Sequence, residues 1–60
     1  MKTCGLEVNN LPENLHNYIV VRIDDSNLTA WYWGCWDDQD TAVEVAQEIG
    51  GIVVRKENLA

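Results

Sequence analysis

Sixty residues carry ten acidic and four basic side chains, giving a formal net charge of −6 and a pI near 4.3, with 47% hydrophobic and 23% charged residues. That balance argues against a disordered chain, which needs low hydrophobicity with high charge, and against sequence-independent binding to phosphate backbones, which needs clustered Lys and Arg. A chain this short buries only roughly 60% of the surface its unfolded form exposes, and such a core supplies about 3–5 kcal/mol, so a second copy is an expected source of stability.

No apolar run follows Lys2, and no stretch approaches the ~20 apolar residues of a membrane span, so the expectation is a cytoplasmic protein. Cys4 and Cys35 lack the density of a secreted disulfide scaffold and are expected to be reduced. Together with His16 they lack the close ligand spacing of a structural zinc site, and neither a metal nor a cofactor is implied.

In chain order, residues 1–16 form an N-terminal arm in which Leu6 and Val8 alternate around Glu7 as a short strand does. Asn10 is a good N-cap, Pro12 suits a first turn, and Leu11 with Leu15 makes an i,i+4 apolar pair, so at most one helical turn seals an edge of the core here. Residues 17–35 read as a β-hairpin, because Tyr18-Ile19-Val20-Val21-Arg22-Ile23 is almost wholly β-branched or aromatic and Asp24-Asp25-Ser26-Asn27 is turn chemistry. Ile19, Val21 and Ile23 form the expected core face.

The second strand, Leu28 to about Cys35, carries the aromatic stretch Trp31-Tyr32-Trp33-Gly34-Cys35-Trp36, and its register decides which face the tryptophans occupy. An odd loop sets Ile23 level with Thr29 and places Trp31 and Trp33 inside with Ile19 and Val21. An even loop sets Ile23 opposite Leu28 and moves them to the face of Tyr18, Val20 and Arg22. The odd loop is favoured because tryptophans bury large apolar areas. Tyr18, Val20, Ala30 and Tyr32 then remain on the other face as the expected oligomer interface.

From residue 38 to 49 the period becomes helical: Ala42, Val45, Ala46 and Ile49 turn inward while Glu44, Gln47 and Glu48 turn outward. Asp37, Asp38 or Asp40 supplies the N-cap, and Gly50 the left-handed C-terminal residue. Residues 52–56 read as a third strand, followed by a fraying tail. The whole predicts a small α+β domain of ββαβ order, an antiparallel sheet of about three strands with one helix packed on one face.

No catalytic signature accompanies these elements. His16 lacks a paired acid or nucleophile in sequence, the cysteines lack electropositive surroundings, and the chain is too small for an enclosed pocket, so no enzyme is expected. Trp36, Asp37, Asp38, Asp40, Glu44, Glu48, Asp24 and Asp25 are the candidate partner-binding residues: an aromatic beside an acidic edge that either caps a helix or imitates a row of phosphates. Asp37, Asp38, Asp40 and Glu44 lack the spaced pattern of a calcium loop.

Gly34-Cys35-Trp36, three residues, then Asp40-Thr41 leading into a helix resembles the Gly-Cys-aromatic-x-x-x-Asp-Thr segment of HicB-type antitoxins. Those are small proteins with a partial ribonuclease-H-like fold that neutralise a toxin by binding it, and the resemblance implies a stoichiometric protein inhibitor. The chain departs from them in having a shorter sheet before the motif and no separate DNA-binding region. In small size, acidity and lack of catalytic chemistry it also resembles, in general terms only, phage or mobile-element inhibitors such as anti-CRISPR proteins.

The expected function is therefore a non-enzymatic acidic inhibitor of the phage or mobile-element encoded kind that forms a homodimer and blocks a basic nucleic-acid-handling protein without binding nucleic acid or membrane itself. One alternative is an oligomeric module that sequesters a nucleotide-like ligand with Trp36, Trp33 or Tyr32. Another is an antitoxin-like or structural assembly subunit.

Overall fold

The structure, a computed structural model, describes residues 2–3 (backbone alone), 6–26 and 29–59. Its elements are β1 (Lys2–Thr3), β2 (Leu6–Asn9), β3 (Tyr18–Asp24), β4 (Thr29–Trp36), α1 (Gln39–Ile49), β5 (Ile52–Arg55) and a 3-10 turn, Lys56–Asn58. The strands form one sheet in the order β1-β2-β4-β3-β5. Pairing is antiparallel except between β2 and β4, which run parallel through Val8↔Ala30. The α+β class agrees with the sequence expectation, but the sheet is mixed and wider than the three antiparallel strands expected. A four-residue stretch such as Leu6–Asn9 shows its alternation in sequence but not its partner, and the parallel partner lies across a long connection.

Strand β3, between β4 and β5, is covered on both sides. Ile19, Val20 and Val21 are all 0% exposed, and burying each fully contributes about 1.5–3 kcal/mol. Consecutive buried residues on a strand alternate between faces, so two small cores result. On one face Ile19 and Val21 join Val8, Ala30 and Val54, with Leu11, Leu15 and Leu59 packed against them. On the other, Val20 meets Ala42 and Ala46 of α1, flanked by Tyr18, Trp36, Val45, Ile49 and Val53. The helix thus covers the face of Val20, not the face of Ile19 and Ile23 that the alternation favoured.

The odd face is closed instead by the segment that connects β2 to β3. No helical turn forms there: Asn10 adopts the left-handed region at φ 65° instead of capping, and Leu11 and Leu15 reach the core from an irregular chain. The chain's end contributes as well. Lys56 donates its backbone N–H to the Asn17 carbonyl at 2.8 Å, and Leu59 packs on the same core, where the sequence suggested a frayed tail. Cys4, Asn27, Leu28 and Ala60 lie outside the described residues.

Helix α1 begins and ends as its residues dictate. Asp38 is the N-cap, its carboxylate accepting from the Thr41 hydroxyl at 2.6 Å and the Thr41 N–H at 3.4 Å. Ala42 and Ala46 are the buried positions, and their small size lets the helix approach the sheet closely. Gly50 ends the helix at φ 70° and Gly51 donates to the Ala46 carbonyl at 2.8 Å, satisfying the orphan acceptor of the last turn. Gly51 is also confined by space: a Cβ there would lie 2.5 Å from the Val21 carbonyl oxygen.

A candidate docking surface beside the helix

The hairpin register fixes the position of the tryptophans. Arg22 pairs with Trp31, Ile23 with Ala30 and Asp24 with Thr29, which leaves a connection of even length, residues 25–28. The even register therefore holds, and the odd one favoured on grounds of tryptophan burial does not. The turn opens with the Asp24 carboxylate accepting from the Ser26 N–H at 3.0 Å. Farther along, the pairing shifts between Val20 and Val21, so that Val21 faces Tyr32 and Val20 faces Gly34. Trp33 is the extra residue of this β-bulge, which lets β4 keep Trp31, Trp33 and Trp36 on one side of the sheet.

That side is the helix side, yet only Trp36 benefits from the helix. The indole of Trp36 packs against the Val20, Ala42 and Ala46 core and lies over Gly34, where a Cβ would fall 2.7 Å from its Cη2. Helix α1 sits chiefly on β3 and β5, so the middle of β4 stays uncovered. Trp31 remains 43% exposed and Trp33 55%. With Arg22, Asp24 and Asp25 they line an open groove of about 530 Å³. Arg22 is exposed and makes no ion pair among the described residues.

The four residues expected to form an oligomer interface do not share a surface. Tyr18 and Val20 belong to the helix-side core, whereas Ala30 and Tyr32 belong to the opposite one. Val20 and Ala30 are 0% exposed and have no area to offer a second copy. The even register is the cause, because it moves Ala30 and Tyr32 to the face of Ile19 and Val21.

The acidic candidates fall into separate groups. Asp40, Glu44 and Glu48 are exposed and recur every four residues, so they form one row along the outer side of α1 at about 6 Å of axial rise per step. None of the three is ion-paired among the described residues. Asp38 is engaged as the cap, and the Thr41 hydroxyl, followed by the N–H groups of Thr41 and Asp40, holds its carboxyl below the ordinary 3.8. Asp37 pairs with the His16 Nδ1 at 3.1 Å. Asp24 and Asp25 lie at the hairpin turn beside the tryptophan groove, not in the helix row. The seven acidic candidates therefore divide into a helix row, a groove border, a capping carboxylate and a partner of His16, while Trp36, the eighth candidate, packs in the helix-side core.

The His16–Asp37 contact went unseen in sequence because the irregular segment before β3 brings His16 back to the end of β4. The same approach makes the His16 backbone N–H donate to Cys35 Sγ at 3.4 Å, while the Tyr32 hydroxyl donates to that sulfur at 3.2 Å. The hydrogen bond to Cys35, then burial and the charge of Cys35, push the Tyr32 pKa from 10.0 to about 12. Cys35 is a free, half-buried thiol whose neighbours donate to it. Among the described residues no three of His, Cys, Asp and Glu come close enough to hold a metal ion.

No protein-family model, curated protein or solved structure matches the chain. The likeness of Gly34 to Thr41 to HicB-type antitoxins stays a local one: the residues end β4 and enter α1, a strand-to-helix turn in which Gly34 seats Trp36 and Thr41 completes the Asp38 cap. Gly34, Trp36 and Thr41 of that likeness thus have packing or capping tasks here, whereas Asp40 is exposed on the first turn of α1. No helix among the described residues is long and apolar enough to cross a membrane.

Proposed function

We propose that this chain is a non-enzymatic acidic inhibitor that binds a basic, nucleic-acid-handling protein, of the kind encoded by phages and mobile elements. The observation that carries the reading is the row Asp40, Glu44 and Glu48: three exposed carboxylates at regular spacing on one helix side, unpaired among the described residues. Regular negative charge along a rigid rod is what a phosphate-binding surface recognises. The row is sparser than duplex DNA, which carries about one charge per 1.7 Å of axis. It suits a partner that reads a few phosphates along one strand.

The test is charge reversal at positions that carry no structural duty. Asp38 caps the helix and Asp37 pairs with His16, so reversing either would disturb local structure. Glu44→Lys with Glu48→Lys changes only exposed side chains. In affinity capture from the host cell, a basic nucleic-acid-binding protein should be retained by the native chain and lost by this double variant. Equal retention by both would refute the reading.

A second reading is the sequestering of a nucleotide-like ligand, and the groove of Trp31, Trp33 and Arg22 is what favours it, since indoles stack on bases. Of the three aromatic residues expected to serve that role, only Trp33 is in the groove; Trp36 packs in the helix-side core and Tyr32 lies on the opposite face.

A further inference from the structure

Tryptophans left about half exposed in so small a chain are costly to solubility, and here they stand together. Trp31 and Trp33 flank Tyr32 on β4, and the bulge at Trp33 sets both indoles along one groove. Two indoles lining one open groove offer faces on which a flat group can stack. Asp24 and Asp25 border the same groove. With Arg22 the lining carries two negative charges against one positive, and the whole chain carries −6.

Flat, apolar-walled and net acidic, the groove matches a planar cation better than a phosphorylated ligand. A guanidinium stacks on indole faces and forks toward carboxylates, which an ammonium does less well. A second copy is a poorer occupant, because it brings another −6 of charge to the contact. We infer that the Trp31–Trp33 groove is an arginine-binding site: an arginine side chain from the basic partner stacks on the two indoles, with Asp24 and Asp25 as its counter-charges. The inference rests on the proposed function and adds to it a specific contact, placed apart from the helix row.

Arg22 makes the site testable in sign. It opposes a cation in the groove and would assist an anion there, so its removal moves the two classes of ligand in opposite directions. The experiment titrates the native chain with a short arginine-rich peptide, with a lysine peptide of equal length and charge, and with ATP, following tryptophan emission and binding heat. Far-UV circular dichroism verifies the fold of every variant, and the exposure of the substituted residues keeps them out of the core.

The arginine peptide should bind more tightly than the lysine peptide. Trp31→Ala with Trp33→Ala should weaken it about tenfold, the loss expected of stacking contacts of this kind, and Arg22→Gln should tighten it. Undiminished peptide binding by the folded double-tryptophan variant would overturn the site. If Glu44→Lys with Glu48→Lys then abolished binding, the basic-partner reading would survive without it. ATP binding that Arg22→Gln weakens would overturn the site in favour of an anionic ligand. Failure of every cationic peptide to bind would overturn both the site and the reading beneath it.

Discussion

Replacing Gly51 with alanine tests the account of how α1 is joined to the sheet. The added Cβ would stand 2.5 Å from the Val21 carbonyl oxygen and 3.2 Å from Ile49 Cδ1. The first contact is with backbone of the interior strand β3, which cannot swing aside as a side chain does. Relief requires β5 to move from β3 just where Ile52 pairs with Val21. Overpacking of this kind costs about 1–3 kcal/mol, and the immobility of the neighbour puts Gly51→Ala in the upper half, about 2–3 kcal/mol.

Gly50→Ala is the internal control. Gly50 has φ 70° with nothing within 4 Å of its Cβ position, so its substitution carries only the left-handed backbone penalty, about 1–2 kcal/mol. At about 4–8 °C per kcal/mol for a domain of this size, Gly51→Ala should lower the melting temperature by roughly 10–20 °C. Gly50→Ala should lower it less. Thermal and urea unfolding followed by far-UV circular dichroism gives both values. A Gly51→Ala variant within about 0.5 kcal/mol of the native chain, the range of harmless surface changes, would refute the packing argument. So would a larger loss at Gly50.

Two further predictions concern pH. The Tyr32 proton is held more tightly in the folded chain than in the unfolded one, its pKa raised from 10.0 to about 12, so its contribution is complete below pH 10 and is lost as pH rises toward 12. Unfolding measured across that window should show stability falling in the native chain and a flatter profile in Tyr32→Phe; identical profiles would contradict the Tyr32–Cys35 bond. Asp38 has a lowered pKa, so its capping contribution is present above 3.8 and is lost as pH falls through its folded value. Asp38→Ala should therefore melt below the native chain at neutral pH, with the gap closing in acid, and a gap independent of pH would argue that the cap does not rest on the ionised carboxylate.

Much of this fold is legible in the residues. The strand over Tyr18–Asp24, the helix with Ala42, Val45, Ala46 and Ile49 inward, the acidic N-cap and the left-handed Gly50 all follow from local pattern and capping chemistry. The hairpin register does not, because it turned on an argument about burial. Tryptophan burial would have favoured the odd loop, but an eleven-residue helix spans only about 16 Å and lies over β3 and β5, leaving β4 bare at Trp31 and Trp33.

One signal in the sequence pointed the other way. Val20 is apolar at a position assigned to the outer face, and an unbroken run of Ile19, Val20 and Val21 is the mark of a strand buried on both sides. What lies on its second side, Leu11, Leu15 and Leu59, comes from segments without periodicity, and no local pattern announces such a cover. The candidate site shared that fate. Its carboxylates were visible as an acidic run, but their division into a cap, a His16 partner, a helix row and a groove border depends on tertiary placement.

The central claim is that the chain occupies the nucleic-acid site of a basic protein, and competition tests it most directly. With the captured partner bound to a labelled oligonucleotide, the native chain should displace the oligonucleotide in a single-site manner, and Glu44→Lys with Glu48→Lys should not. A stable ternary complex of chain, partner and oligonucleotide would contradict the claim.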